Sequence, residues 1–199
     1  MKLFMEKECA AIILAAGKST RMGRPKFTLA LPNGTTFLEN IINQYSGFGC
    51  TEIVVVLNSE GIELNEKKPL NISTQIKIVL NPHPEYGRFY SIRTGIKHII
   101  NNFTFIHNID NPYAKIEVLN QMYNAKNEAD LIKPVNNGKG GHPVLISKKI
   151  CDHILQEKKN NINFKDVLNK FLTHEVVVQD NMIHLNINTY DEYLELYKR

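Results

Sequence analysis

From Ala10 to Ala16 the chain is an unbroken run of small and apolar residues, and it stops at Gly17. A short continuous apolar run bounded by a turn residue reads as a strand buried on both faces, as in the middle of a parallel sheet. The loop that follows carries Lys18, Arg21, Arg24 and Lys26, punctuated by Gly23 and Pro25. Small residues at Ala15, Ala16 and Gly17 let a ligand approach the backbone, and the four cations supply charge for phosphates. A basic loop in general is a solvated turn. One that directly follows a buried strand stands where open α/β sheets place their ligands, so a phosphate site is expected here.

Two familiar nucleotide motifs are excluded. A P-loop ending in Gly17-Lys18-Ser19 would need glycine at position 12, which is Ile12. Pairing Gly17 with Gly23 makes the spacing one residue too long, and Arg24 follows. No Gly-x-Gly-x-x-Gly is present, so a dinucleotide-cofactor turn has no support.

The chain of 199 residues fits one domain, 1–199, long enough to bury a substantial core. It is 43% hydrophobic and 22% charged, an ordinary globular composition. A net charge of +4 spread along the sequence argues against a nucleic-acid partner, and an anionic small molecule suffices to explain the basic loop. Cys9, Cys50 and Cys151 lack metal-ligand spacing and read as reduced core thiols of a cytoplasmic protein. Met1 to Glu8 has no apolar signal region, and no run is long enough to span a bilayer, so no membrane association is expected.

Further along, Thr36 predicts a cap for a helix from Phe37 to about Ser46, ended by Gly47 and Gly49. Glu52 to Leu57 predicts a second buried strand, Glu60 to Asn71 a polar connection, and Thr74 to Leu80 a third strand. A loop from Asn81 leads to a helix over Phe89 to Ile100, and Phe103 to Ile109 predicts a fourth strand ending at Asp110-Asn111-Pro112. A helix over Lys115 to Lys126 and a strand over Ala129 to Pro134 precede a loop, Asn136 to Gly141. Then come a strand at Val144 to Ile146 and helices at Lys148 to Lys158 and Phe164 to Leu172. Strands at Glu175 to Gln179 and Met182 to Leu185 and a helix from Tyr190 to Tyr197 complete the reading. The alternation of continuous apolar strands with helices predicts a parallel sheet covered on both faces.

Leu14 to Lys26 resembles the signature L-A-A-G-x-S-x-R-M-G-x-x-K of the MobA-like NTP transferase family. These nucleotidyltransferases include molybdenum cofactor cytidylyl- and guanylyltransferases. The resemblance runs in collinear order from Ile12 to Tyr193. It implies a three-layer α/β/α fold of the nucleotide-diphospho-sugar transferase kind, Rossmann-like, with a mixed, mostly parallel sheet. It also implies transfer of a nucleoside monophosphate from a nucleoside triphosphate to a phosphorylated small-molecule acceptor, with Mg2+ and release of pyrophosphate. A phosphate monoester acceptor is already anionic, so no general base is required.

Residue by residue, the resemblance implies that Arg21 and Lys26 contact the triphosphate, with Leu14, Ala15, Ala16 and Gly17 beside the nucleotide. Asp110 matches the family's metal-binding Asp-x-Pro, although Asn108-Ile109 departs from the residues before it; taken alone, an Asp after a strand reads as a helix cap, and the motif is what favours the metal. Arg21, Lys26 and Asp110 form the implied catalytic set. Asn188, in Asn186-Ile187-Asn188-Thr189-Tyr190, stands where relatives have a second metal ligand, and Asn186 resembles the guanylyl branch. Asn81, Gly87 and Ser91 match the loop that reads the nucleobase in relatives, and Arg93 in the same stretch is assigned to the acceptor. Gly141-His142-Pro143-Val144 resembles the cytidylyl branch, which assigns Gly141 and His142 to the acceptor; Gly140 replaces an arginine there, and Lys139 could supply that charge. CTP and molybdopterin are the expected substrates. GTP, a sugar-phosphate or phosphocholine acceptor, and a non-catalytic nucleotide-binding role remain the alternatives. A partner enzyme receiving the product, and a monomer or weak dimer, complete the expectation.

Overall fold

The computed structural model describes residues 6–72 and 74–198, so the reading of Met1 to Met5 lies outside the described residues. The elements run β1 (Lys7–Leu14), α1 (Phe37–Phe48), β2 (Cys50–Leu57), α2 (Ser59–Lys67), β3 (Lys77–Leu80), α3 (Gly87–Ile96) and β4 (Phe103–Asn108). There follow α4 (Ile116–Asn124), β5 (Leu131–Asn136), β6 (Lys139–Gly140), β7 (Val144–Ser147), α5 (Lys148–Gln156), α6 (Phe164–Leu168), β8 (Thr173–Val177) and α7 (Tyr190–Leu194).

The strands form one sheet in the order β3-β2-β1-β4-β7-β5-β6, with β8 also on β5. β3, β2, β1 and β4 are parallel neighbours, β7 is antiparallel to β4 and β5, and β8 is parallel to β5. The sheet is therefore mixed and mostly parallel. β1 sits at its centre because every residue from Cys9 to Leu14 is apolar and buried. Ala11, Ile13 and Ala15 enter the core under α1 and α4, while Ile12, Leu14 and Ala16 enter the core under α3, α5 and α6. Two-residue alternation with both faces apolar thus produces the three-layer architecture.

Local signals account for most boundaries. Thr36 and Glu39 form a capping box at the start of α1, which runs through Gly47 and ends at Gly49, φ 100°. Asn137 and Gly138 both have positive φ and turn β5 into β6, so the expected loop at 136–141 is a tight hairpin.

Two expectations are corrected. The polar connection after β2 contains α2, whose start is capped by the Asn58 side chain accepting from Gly61 N at 2.8 Å. Only Ile62 and Leu64 of this helix pack on the core, too few to mark a helical period in the sequence. The strand expected at Met182 to Leu185 is a 3-10 turn over Asn181–His184, because Asp180 caps it by accepting from Met182 N at 3.1 Å. β3 starts later than read, at Lys77, and α5 and α6 end earlier, at Gln156 and Leu168.

Cys9, Cys50 and Cys151 are free thiols. Cys9 and Cys50 are brought together from neighbouring strands, with their sulfurs 3.2 Å apart. Among the described residues, no helix is long and apolar enough to cross a membrane.

Candidate active site

The chain winds from β1 outward to β2 and β3, then returns to place β4 on the other side of β1. That reversal opens a crevice at the carboxyl ends of β1 and β4, the position where sheets of this kind bind ligands. A cleft of about 400 Å³ lies there. Its walls come from the loop after β1 (Leu14, Ala16, Gly17, Arg21, Lys26), the end of β4 (Asn108, Ile109, Asp110), the start of α3 (Gly87, Arg88, Ser91) and Asn188.

The loop after β1 is folded against itself. Met22 is buried beneath it, and Met22 N donates to Ser19 O at 2.8 Å. Ser19 Oγ accepts from Lys26 N at 3.2 Å, tying the two arms together. Pro25 then leads into a short 3-10 turn whose Phe27 is buried, which turns Lys26 back towards the cleft. Lys26 Nζ donates to Asn188 Oδ1 at 2.8 Å.

Asp110 is held just past β4 by its neighbours. Asn111 is fully buried, donates through Nδ2 to Met182 O at 3.0 Å, and accepts at Oδ1 from Tyr113 N at 3.1 Å. The Asn111 carbonyl accepts from His107 Nε2 at 2.7 Å, and the Asp110 carbonyl accepts from Ile187 N at 2.8 Å. These bonds clamp the turn between β4 and the C-terminal segment, while Asp110 Oδ1 is buried without a hydrogen-bond partner among the described residues. Burial raises the Asp110 carboxyl pKa, opposed by the charges of Lys26 and Arg88. Burial likewise lowers the Lys26 ammonium, opposed by Asp110 and offset again by Glu192. The two groups thus face one cleft, each partly stripped of water and each stabilising the other's charged form.

Asp110 Oδ1 is a hard oxygen donor with nothing to bond, and it suits a magnesium ion that keeps waters and phosphate oxygens as its other ligands. Asn188, the other expected metal ligand, has its side-chain oxygen engaged by Lys26, so in this arrangement it positions the lysine.

Several expected residues stand elsewhere. Asn81 is fully buried behind the cleft, donating to Ser91 Oγ at 2.9 Å and accepting from His83 N at 2.8 Å. Both ends of its amide hold the loop, and the side chain is fully buried outside the cleft lining, so here it presents no edge to a base. Arg93 is turned away onto the α5–α6 connection, donating to Glu157 O at 2.8 Å, Lys159 O at 3.3 Å and the Asn160 side chain. Lys139 is exposed on the hairpin, outside the lining of the cleft. Ala15 is buried beside the cleft, its N–H donating to Val56 O at 2.9 Å.

Gly141 and His142 line a second cavity of about 560 Å³, with Lys133, Phe164, Lys165 and Arg88. His142 Nδ1 is buried without a partner among the described residues, and burial lowers its pKa to about 4, so the ring is neutral at pH 7. Arg88, Asn108 and Thr20 are cleft residues that the sequence reading does not single out. Arg88 had a readable signal: it directly follows the motif glycine Gly87 at the head of a helix after a parallel strand.

Comparison with known proteins places the chain in a family. Residues 11–175 match the MobA-like NTP transferase domain. The chain is 29% identical over 188 residues to molybdenum cofactor cytidylyltransferase of Escherichia coli (strain K12), covering 94% of this chain and 95% of that one. It is 26% identical over 201 residues to a probable molybdenum cofactor guanylyltransferase of Clostridium perfringens, covering 96% of each. The solved Mycobacterium sp. strain JC1 homologue of Mycobacterium tuberculosis Rv0371c shares the fold, with a TM-score of 0.81 at 18% identity over 98% of this chain and 97% of that one. The chain belongs to the MobA-like NTP transferase family, a family of nucleotidyltransferases.

Proposed function

We propose that the chain transfers cytidylate from CTP to the phosphate of molybdopterin, releasing pyrophosphate. The observation that carries this reading is the meeting of Lys26 and Asp110, whose Oδ1 has no hydrogen-bond partner among the described residues, in one cleft at the sheet's reversal point. Arg21 and Lys26 bind the triphosphate, and Lys26 stabilises the negative charge that gathers as pyrophosphate departs. Asp110 would hold a magnesium ion, which when bound neutralises phosphate oxygens and orients the triphosphate. Asn188 aims Lys26 through its 2.8 Å hydrogen bond. No side chain is needed as a base, because the attacking phosphate oxygen is already ionised. Neutral His142 suits a binding role at the second cavity, where Gly141 and His142 reproduce the motif of the cytidylyl branch.

GTP is the second reading, favoured by Asn186 and Asn188 where the cytidylyl branch has acids. The test is pyrophosphate release with each of the four nucleoside triphosphates against molybdopterin, a sugar phosphate and phosphocholine, with magnesium present. CTP with molybdopterin is expected to give the fastest release. Faster release with GTP would replace the nucleotide, faster release with another acceptor would replace molybdopterin, and no release with any pair would overturn the reading.

A further inference from the structure

The nucleotide cleft and the second cavity share one lining residue, Arg88. Its position follows from the turn before it. Gly87 has φ 80° and ψ −166°, a conformation nearly confined to glycine, and it delivers the second residue of α3 to the junction of the two spaces. The guanidinium lies 5.3 Å from the Phe164 ring centroid. That stacking holds the group while leaving its N–H donors unused. Among the described residues Arg88 makes no hydrogen bond and no ion pair, whereas Arg93, five residues on, is saturated by the α5–α6 connection.

The charge around it has one sign on one side. The second cavity is lined by Arg88, Lys133 and Lys165 and by no acidic residue, and Lys133 is committed to Glu175 at 2.8 Å. On the other side, the charge that acts on Arg88 is that of Asp110. An aromatic-backed arginine with a free donor fork is built for two-point recognition of a phosphate. In the transfer reading the nucleotide's phosphates already have Arg21 and Lys26, from the loop after β1.

We propose that Arg88 is a catalytic residue: it grips the acceptor's phosphate at the junction and points one of its oxygens at the α-phosphorus of the nucleotide. The proposal rests on the transfer reading above and adds a residue to it. In the step, an oxygen lone pair of the acceptor phosphate forms a new bond to the α-phosphorus. The bond from that phosphorus to the oxygen bridging to the β-phosphorus breaks, and its electron pair leaves with pyrophosphate. Arg88 offsets the repulsion between the two approaching anions.

Arg88→Met keeps the length and the contact with Phe164 but removes charge and donors, and Arg88→Lys restores the charge without the fork. With CTP and molybdopterin, kcat/KM for the acceptor is expected to fall about 30-fold or more in Arg88→Met, with a smaller fall in Arg88→Lys. The Kd for the unreactive α,β-methylene analogue of CTP, measured by calorimetry, is expected to stay within about 2-fold. An unchanged kcat/KM would overturn the proposal, and so would an equal loss of analogue affinity, which would give Arg88 to the nucleotide. If wild type turns over no acceptor, the transfer reading fails by itself. Arg88 is then judged by 31P NMR broadening of inorganic phosphate: loss in Arg88→Met supports the phosphate grip, and equal broadening in both proteins refutes it. Arg88→Lys carries the same comparison if Arg88→Met does not fold.

Discussion

His107 offers a quantitative test of how the Asp110 turn is held. The ring is completely buried, with Nε2 2.7 Å from the Asn111 carbonyl and Nδ1 3.0 Å from the Tyr45 hydroxyl. A carbonyl only accepts, so Nε2 carries the proton and Nδ1 accepts from Tyr45. Burial lowers the ring's pKa from 6.5 to about 4. Above pH 6.5 both folded and unfolded chains hold a neutral ring, and the term vanishes. As pH falls below 6.5 the unfolded chain takes up a proton that the fold refuses, so stability drops until the folded ring also titrates near 4. The loss amounts to about 2 kcal/mol by pH 5 and approaches about 3 kcal/mol near pH 4. His107→Gln offers an amide donor and acceptor in similar places but cannot titrate. Urea unfolding of both proteins from pH 7 to pH 4.5 isolates the term as a difference, since all other groups cancel. The variant is expected to be less stable at pH 7, by about 1 kcal/mol for imperfect hydrogen bonds, and to regain about 2 kcal/mol relative to wild type by pH 5. A difference that stays constant over that range would refute the buried, neutral imidazole.

Two further outcomes follow from packing and burial. A Cβ on Gly141 would lie 2.6 Å from both Ile183 Cγ1 and the Ile183 carbonyl oxygen, which also accepts from His142 N. Gly141→Ala is therefore expected to cost about 1–3 kcal/mol in urea unfolding, and an unchanged midpoint would show that this contact is slack. The Cys151 thiol is pushed up to about 12 by burial, and Cys50 is raised by its contact with Cys9 and by burial. Native protein at pH 8 should resist iodoacetamide at all three cysteines until urea unfolds it, and fast labelling of the folded chain would contradict this.

The centre of the fold was legible because β1 is apolar on both faces and its neighbours repeat the pattern, which only a doubly covered sheet satisfies. Thr36 announced a helix start and the run of loop-formers from Asn136 to Gly141 a loop, both through chemistry that acts over a few residues, whereas the tight hairpin that this loop makes shows only in the positive φ of Asn137 and Gly138. α2 escaped notice because its stability comes from one cap and two core contacts, with no apolar stripe. In the site, the joining of Lys26 to Asp110 could be expected from the ends of two strands, but side-chain commitments could not. Asn81, Arg93 and Asn188 are all polar residues with a partner 10, 64 and 162 positions away in the chain, respectively, and only folding decides that those partners are protein atoms. Arg88 is the converse case, marked by having no such partner among the described residues once folded.

The most direct measurement is single-turnover formation of pyrophosphate by Lys26→Met, Asp110→Asn and the double variant, under saturating CTP, magnesium and molybdopterin. If both side chains serve one bound nucleotide, each single change should slow the step by about 10²–10³-fold, and the double variant should be hardly slower than the worse single. Multiplying losses in the double variant would mean that the two act independently, and a rate within about 3-fold of wild type in either single would remove that residue from the chemistry.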